Sequence, residues 1–261
     1  MIKAIFLDID GTLVSFQTHR VPASTCQAIH EARQRGVKVF ICTGRPIQFI
    51  DNLAGVEYDG MICVTGALCI THDNQIIYRN SIPREDVENL LHFLQGQGDN
   101  PIPFMAVSDE KIFGINKEHP AVQYILTHLN VPHVPFYPIE QMVDSPILQL
   151  IGFYTSDQDE VMQQILPHCV GMRWHPSFAD IVVQGCSKAD GIDQVIAHYN
   201  IDISETMGVG DGGNDIPMLQ HAAIGVAMGN AAPEVQQHAN YITTSVDDDG
   251  IWNAFKHFGV I

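Results

Sequence analysis

Positive charge is scarce in this chain. Lys and Arg together number 13 against 30 Asp and Glu, a formal net charge of -17 over 261 residues. Phosphate backbones are held by clustered cations, so this balance argues against a non-specific nucleic-acid surface. An anionic small molecule would need local help from a metal, a few fixed cations or helix N-termini. Cysteine lacks pattern. Cys26, Cys42, Cys63, Cys69, Cys169 and Cys186 form no CxxC pair, which points to small core hydrophobes in a reducing compartment rather than disulfides or zinc. The 13 histidines show no metal-ligand spacing. No apolar run approaches membrane-spanning length, and no charged-then-apolar-then-cleavable pattern follows Met1. The expectation is a soluble, cytoplasmic protein without membrane partners. Sequence repeats and low-complexity segments are also missing.

What is present is a globular composition. Hydrophobic residues make up 46% and charged residues 16%, enough to build a core without covalent staples. The length suits one large domain or two modest ones. Short apolar runs alternate with helical patterns at both ends of the chain. Residues 2–8, 37–42 and 61–64 read as strands and 24–35 as a helix closed by Gly36. The same grammar returns with a helix at 188–199, strands near 206–210, 223–227 and 240–244, and helices near 214–221 and 233–239. Such alternation predicts parallel βαβ units in an α/β, Rossmann-like core.

The middle of the chain differs. After Ser81-Ile82-Pro83, the apolar residues Val87, Leu90, Leu91 and Leu94 keep helical spacing. Two strand-like runs within 103–115 flank a hairpin turn at Asp109-Glu110-Lys111. A helix at 121–129, a strand at 147–155, a helix near 158–166 and strand-like runs near 172–183 follow. This α+β pattern predicts an inserted cap domain at 82–182 that interrupts a discontinuous core of 1–81 and 183–261.

In an open parallel sheet, ligands bind beyond the carboxyl ends of the strands. The first strand ends at Asp8, with Asp10 just beyond. The second ends in Thr43-Gly44-Arg45 and the third in Thr65-Gly66-Ala67. The strand after the insertion ends in Gly210-Asp211-Gly212-Gly213-Asn214-Asp215. Each stretch alone has a bland reading. An Asp often caps a turn, Thr-Gly is a common turn, and Cys186-Ser187-Lys188 could be a helix start capped by Ser187. Their convergence on one sheet edge is what carries the inference.

Asp8-Ile9-Asp10-Gly11-Thr12, Thr43-Gly44-Arg45, Lys188 and Gly210 to Asp215 resemble the four motifs of the haloacid dehalogenase superfamily of phosphohydrolases. An insertion between the second and third motifs resembles the Cof-type branch. Relatives often carry Asn-Gly-Ala after the third strand. Here Thr65 takes the Asn position, so no functional role is carried over to it. The resemblance implies that Asp8 is the nucleophile, forming an aspartyl-phosphate, and that Asp10 is the general acid and base. It implies Mg²⁺ held by Asp8, Asp211 and the Asp10 carbonyl, with Asp215 a direct ligand or an orienting neighbour. Thr43, Gly44, Lys188 and Asn214 would hold the phosphoryl oxygens. Arg45 could reach phosphate, reach the cap or pair with a core acid.

In the cap, Arg173, Trp174 and Asp180 are candidate contacts for a leaving group, with His175 and Phe178 beside them. A cation, an aromatic and an acid there would suit a sugar. The expected reaction is Mg²⁺-dependent hydrolysis of small phosphomonoesters, sugar phosphates ahead of pyridoxal, flavin-pathway or nucleotide phosphates. A phosphotransferase or mutase on the same chemistry is the alternative enzyme, and a phosphate-responsive switch is the non-enzyme reading. Oligomeric state is not legible.

Overall fold

The computed structural model describes residues 1–128 and 134–261, leaving aside the side chains of Ile125, His128 and Trp174. The chain opens with β1 (Ala4–Leu7), α1 (Ala23–Gln34), β2 (Lys38–Cys42), β3 (Gly60–Cys63), β4 (Leu68–Thr71) and β5 (Ile76–Arg79). It continues with α2 (Arg84–Gln95), β6 (Phe104–Val107), β7 (Ile112–Ile115), α3 (Pro120–His128) and β8 (Phe136–Pro138), then β9 (Gln149–Gly152), α4 (Asp159–Ile165), β10 (Cys169–His175) and β11 (Phe178–Val183). The last part holds α5 (Lys188–Tyr199), β12 (Thr206–Gly210), α6 (Ile216–His221), β13 (Ile224–Ala227), α7 (Pro233–Gln236), β14 (Tyr241–Ile242) and α8 (Gly250–His257). Among the described residues, no helix is long and apolar enough to cross a membrane. The expected helix at 121–129 is α3, and residue 129 lies outside the described residues.

Two compact units result. The first holds Met1–Arg45, Ile50–Tyr78 and Ser187–Ile261, and the second holds Pro46–Phe49 and Arg79–Cys186. The first unit is built on an eight-stranded sheet of order β14-β13-β12-β1-β2-β3-β4-β5. From β14 to β3 the strands are parallel; β4 runs antiparallel to β3. The α/β expectation holds, with that antiparallel addition at one side. β1 is buried along its whole length, as its unbroken Ala-Ile-Phe-Leu run requires of a central parallel strand. Phe6 stacks on Phe40 of β2 at 5.2 Å between centroids. Strand order runs outward from β1 through β2 one way and through β12 the other. That reversal opens a crevice at the carboxyl ends of β1 and β12.

The second unit carries a six-stranded sheet, β10-β11-β9-β6-β7-β8, antiparallel except for β7 with β8. Strand alternation separates its two faces. Phe104, Ala106, Leu150 and Ile181 pack with Val87, Leu90 and Leu94 of α2 and Met162 of α4. Met105, Val107, Ile151, Phe153 and Phe178 pack together with Phe49 and Val122. Ser108 Oγ accepts from the Glu110 and Lys111 amides and closes the expected β6–β7 turn. Asp86, fully buried in the first turn of α2, accepts from the His168 amide at 3.0 Å, His168 Nδ1 at 2.8 Å and Cys169 Sγ at 3.4 Å. It fastens that helix to the start of β10, and its hydrogen bond raises the His168 pKa. Every described cysteine is a free thiol.

Candidate active site

The sheet aims Asp8. Its amide donates to Val209 O of β12 at 3.1 Å, so the residue continues the ladder just past the end of β1. A tight turn follows, with Val14 N bonded to Ile9 O at 2.7 Å and Leu13 N to Asp8 O at 3.2 Å. Gly11 sits in that turn at φ +81°, and a Cβ there would lie 2.2 Å from Asp211 Oδ2. Only glycine satisfies both demands. Thr12 donates its hydroxyl to Asp211 Oδ1 at 2.8 Å.

Lys188 arrives from the opposite end of the sequence. Ser187 caps α5 as expected, accepting from Asp190 N. The first turn of α5 then inserts a fully buried lysine. Its Nζ lies 2.5 Å from Asp8 Oδ1 and 2.6 Å from Asp215 Oδ1. Burial alone would strip its proton, but the carboxylates of Asp215 and Asp8 outweigh that and hold the ammonium charged. Asp215 turns its other oxygen to the amides of Asp211 at 3.0 Å and Gly212 at 2.9 Å. It therefore shapes its own loop while anchoring the lysine.

Negative charge remains in excess. Burial, with the charge of Asp215, pushes the Asp8 carboxyl well above the usual carboxylate range despite Lys188. Burial pushes Asp211 up to about 7 against the opposing hydrogen bond from Thr12. One oxygen each from Asp8, Asp211 and Asp215 lies within 4.8 Å of the others. Three hard carboxylates that share one ammonium, with oxygens at that separation, suit a divalent cation. Among the described residues, the turn's backbone hydrogen bonds end on Asp8, Ile9 and Val14 and leave the Asp10 carbonyl for another partner. The residues present fit a small, oxygen-seeking metal.

Arg45 pairs with a core acid. Its Nε is 2.7 Å from Asp10 Oδ2 and its Nη2 is 2.5 Å from Asp10 Oδ1, a bidentate clamp. Thr43 is buried at the end of β2, and its hydroxyl accepts from Arg45 N at 3.1 Å. A Cβ on Gly44 would meet Asn214 Nδ2 at 3.2 Å and Thr65 Oγ1 at 3.4 Å. The loops after β2, β3 and β12 thus bring two hydroxyls, an amide and a bare backbone together.

Two residues here escape prediction from sequence. Thr65, which carried no expected role, places its hydroxyl beside Gly44. Val64 and Thr65 hold φ of 52° and 54°. Left-handed backbone at β-branched residues costs about 1–3 kcal/mol each and concentrates at functional sites. Asn230, in the loop after β13, donates Nδ2 to Gly11 O at 2.9 Å and to Asp211 Oδ2 at 3.2 Å, and accepts from Val246 N at 3.0 Å. Thr12 and Asn230 thereby hold the two oxygens of Asp211.

In the second unit, Arg173 is engaged locally. It donates to Tyr154 O at 2.8 Å and Phe178 O at 3.0 Å, pairs with Asp159 at 2.6 Å and lies over the Tyr154 ring. Phe178 is core, and His175 stacks on it at 5.6 Å. Asp180 is half-buried on β11 opposite Ile151. Trp174 lies on β10, and its side chain is outside the described residues.

Residues 5–255 match the family model of haloacid dehalogenase-like hydrolases. Among solved structures, the subclass IIB sugar phosphatase BT4131 is 41% identical, with TM-score 0.86 over 99% of this chain and 100% of that one. BT1666 from Bacteroides thetaiotaomicron, described among the phosphatases of that superfamily, is 38% identical, with TM-score 0.87 over 100% and 96% of the two chains. YkrA of Bacillus subtilis (strain 168) is 33% identical over 264 residues, 99% of this chain and 98% of its own.

Proposed function

The chain belongs to the haloacid dehalogenase-like hydrolases and is a phosphoric monoester hydrolase, and we propose that it acts on sugar phosphates through an aspartyl-phosphate on Asp8 with Mg²⁺ as its metal. The observation that carries the mechanism is the buried Lys188 held between Asp8 and Asp215. It fixes a carboxylate at a strand end and supplies one positive charge without exposing either group to solvent. Similarity to a sugar phosphatase over 99% of this chain supports the substrate class.

Asp8 attacks phosphorus, and the bond to the leaving oxygen breaks as the aspartyl-phosphate forms. Asp10 protonates the departing alkoxide, then takes a proton from the water that attacks the acyl phosphate and frees inorganic phosphate. To do either, Asp10 must release one oxygen from the Arg45 clamp. An incoming phosphate dianion competes for that guanidinium. The Thr43 hydroxyl, the Gly44 amide, Lys188 and Asn214 hold the phosphoryl oxygens, with the Thr65 hydroxyl beside them. Asp8, Asp211 and the Asp10 carbonyl would hold the metal, and Asp215 would orient its surroundings. When bound, Mg²⁺ supplies charge neutralisation and Lewis-acid polarisation of the phosphoryl group.

Phosphate release from a panel of phosphorylated metabolites with Mg²⁺, reported as kcat/KM, tests the reading. Hexose and pentose phosphates should lead. A hexose phosphate converted to its isomer without free phosphate would overturn it in favour of a mutase.

Metal removal has a signed pH dependence. The Asp211 carboxyl, shifted from 3.8 to about 7, keeps a proton in the folded protein that the unfolded chain has lost. Its contribution to stability without metal is fully present below about pH 4 and is lost as pH rises through about 7. Metal must displace that proton. Apparent Mg²⁺ affinity should therefore climb roughly tenfold per pH unit toward pH 7 and then level off. Titration calorimetry in two buffers of different ionisation enthalpy reads the released proton, and a flat profile would refute the linkage. The Asn230→Ala variant should lower Mg²⁺ affinity by about 10- to 100-fold, the usual loss when a ligand's orienting partner is removed. Mn²⁺ binding followed by paramagnetic resonance measures this without turnover.

A further inference from the structure

The turn that joins β3 to β4 holds three left-handed residues in a row. Val64, Thr65 and Gly66 take φ of 52°, 54° and 102°, and all three are buried. Two β-branched residues keep such a backbone only where the surroundings over-determine it. On one side the turn is tied to the loop assigned to phosphate. Val64 N donates to Arg45 O at 3.2 Å and Thr65 N to Thr43 O at 3.1 Å. On the other side it meets the start of α5, backbone against backbone. A Cβ on Gly66 would lie 2.0 Å from Ser187 O and 2.8 Å from Ser187 C, atoms of the peptide group that leads into Lys188. Gly191, one turn further along α5, faces the same place. A Cβ there would meet Gly66 Cα at 3.1 Å and Ile62 Cγ2 at 2.5 Å. Glycine inside a helix is unfavourable by itself, and here it permits a close approach. Ser187 O also accepts from Gly191 N at 3.2 Å, so both glycines bear on the hydrogen bond that opens α5.

We propose that Val64–Gly66 is a positioning turn that sets Lys188 against the Thr43–Arg45 loop. The inference rests on the phosphatase reading above, which gives Lys188 and that loop one phosphoryl group to share. The lysine stem is flexible, so its ammonium returns to one place only if its own backbone is fixed. Its Nζ contacts of 2.5 Å with Asp8 and 2.6 Å with Asp215 leave little slack. The strained turn supplies the fixed point. Relaxing Val64 or Thr65 to right-handed φ would break the hydrogen bonds to Arg45 O and Thr43 O or swing Gly66 away from Ser187. Hydrogen bonds on one side and the glycine contact on the other thus hold each other in place. Gly66 acts through Lys188 and not on phosphate.

The test compares Gly66→Ala with Gly36→Ala. Gly36, at φ +84° with open space where a Cβ would stand, carries similar backbone strain without a neighbour. That strain should lower Tm by roughly 2–8 °C in each variant. Only Gly66→Ala should lower kcat on phenyl phosphate with Mg²⁺, by about 10²-fold, the cost of misplacing a catalytic group by about 1 Å. Gly36→Ala should stay within about twofold of wild type. Gly191→Ala is the milder variant. Alanine suits a helix interior, and the contact with Gly66 asks for a shift of a few tenths of an ångström, so this chain folds even where Gly66→Ala does not. Its kcat should fall about 10-fold. The NMR signal of the Lys188 ammonium, identified by its absence in Lys188→Met, reads the position without turnover. It should shift in Gly66→Ala and Gly191→Ala and hold in Gly36→Ala. An unmoved signal in the first two, or equal kcat losses in Gly66→Ala and Gly36→Ala, would overturn the positioning role. A shifted signal in a protein that releases no phosphate from any phosphomonoester would sink the phosphatase reading and keep the turn's role. Phosphate release by wild type with an unmoved signal in the variants would do the reverse.

Discussion

The Asp8→Asn variant is expected to lose phosphate release from every phosphomonoester by at least about 10⁴-fold, the scale seen when a covalent nucleophile is removed. An amide nitrogen or oxygen in that position is a far weaker nucleophile, and what remains is catalysis by positioning alone. The loss should come without damage to the fold. Asp8 is buried against the charges of Asp215, Asp211 and Asp10, and its carboxyl is already pushed strongly toward the neutral form. A neutral amide there relieves repulsion, so Tm without metal should hold or rise. The same substitution removes one of the oxygens that converge on the metal position, so Mg²⁺ should stabilise the variant less than the wild type. Mass spectrometry after mixing with substrate should show no phosphoryl adduct on the variant. Steady release by Asp8→Asn at near wild-type rate would require another nucleophile, and with it another mechanism.

The parts of this site that can be read in sequence are those whose chemistry is local. Asp8, Asp10 and Gly11 follow an apolar run that can only be a buried strand, and Thr43-Gly44 follows another. The Asp211 to Asp215 loop closes on itself through the hydrogen bonds from Asp215 to Asp211 and Gly212, so its acidic spacing is legible too. What escapes reading is contact made across the chain. Asn230 reaches Gly11 over 219 positions, and nothing around Met228-Gly229-Asn230 marks it. Thr65 is hidden by a backbone conformation that its residue type disfavours, and sequence propensity cannot reveal that conformation. Pro46–Phe49 reads as part of the first segment but joins the second unit, because Phe49 finds its apolar partners on that sheet. Strands β4 and β5 extend the sheet beyond β3, with β4 antiparallel to it, an addition that strand–helix alternation does not announce. Arg173 shows the opposite hazard. Its cation suggested a ligand contact, yet carbonyls that only the fold brings near already take its donors.

Lys188→Met should give the largest loss of stability available from one side chain in this site. Removing one member of a buried ion pair leaves the other charge without compensation, at a cost of about 3–5 kcal/mol. Here two carboxylates, Asp8 and Asp215, share the ammonium. For a chain of this size each kcal/mol lowers Tm by roughly 2–4 °C, so a fall of about 10 °C is the expected reading in calorimetry. The deficit should shrink as pH falls, because protonating Asp8 removes one of the two charges. It should also shrink in Mg²⁺, which restores a cation among the same oxygens. A second substitution separates charge from packing. In Lys188→Met with Asp215→Asn, the amide oxygen can keep the hydrogen bonds from the Asp211 and Gly212 amides, while its NH₂ faces Asp8 where Lys188 stood. The double variant should recover much of the lost Tm, a non-additivity that only directly coupled groups produce. It should not recover turnover, since neither amide nor thioether supplies the charge that steadies the phosphoryl group. Recovery of stability with activity still absent would show that Lys188 neutralises buried charge at rest and acts on phosphate during reaction. Additive losses in the double variant would instead mean that Lys188 is held by packing and that its contacts with both carboxylates are incidental.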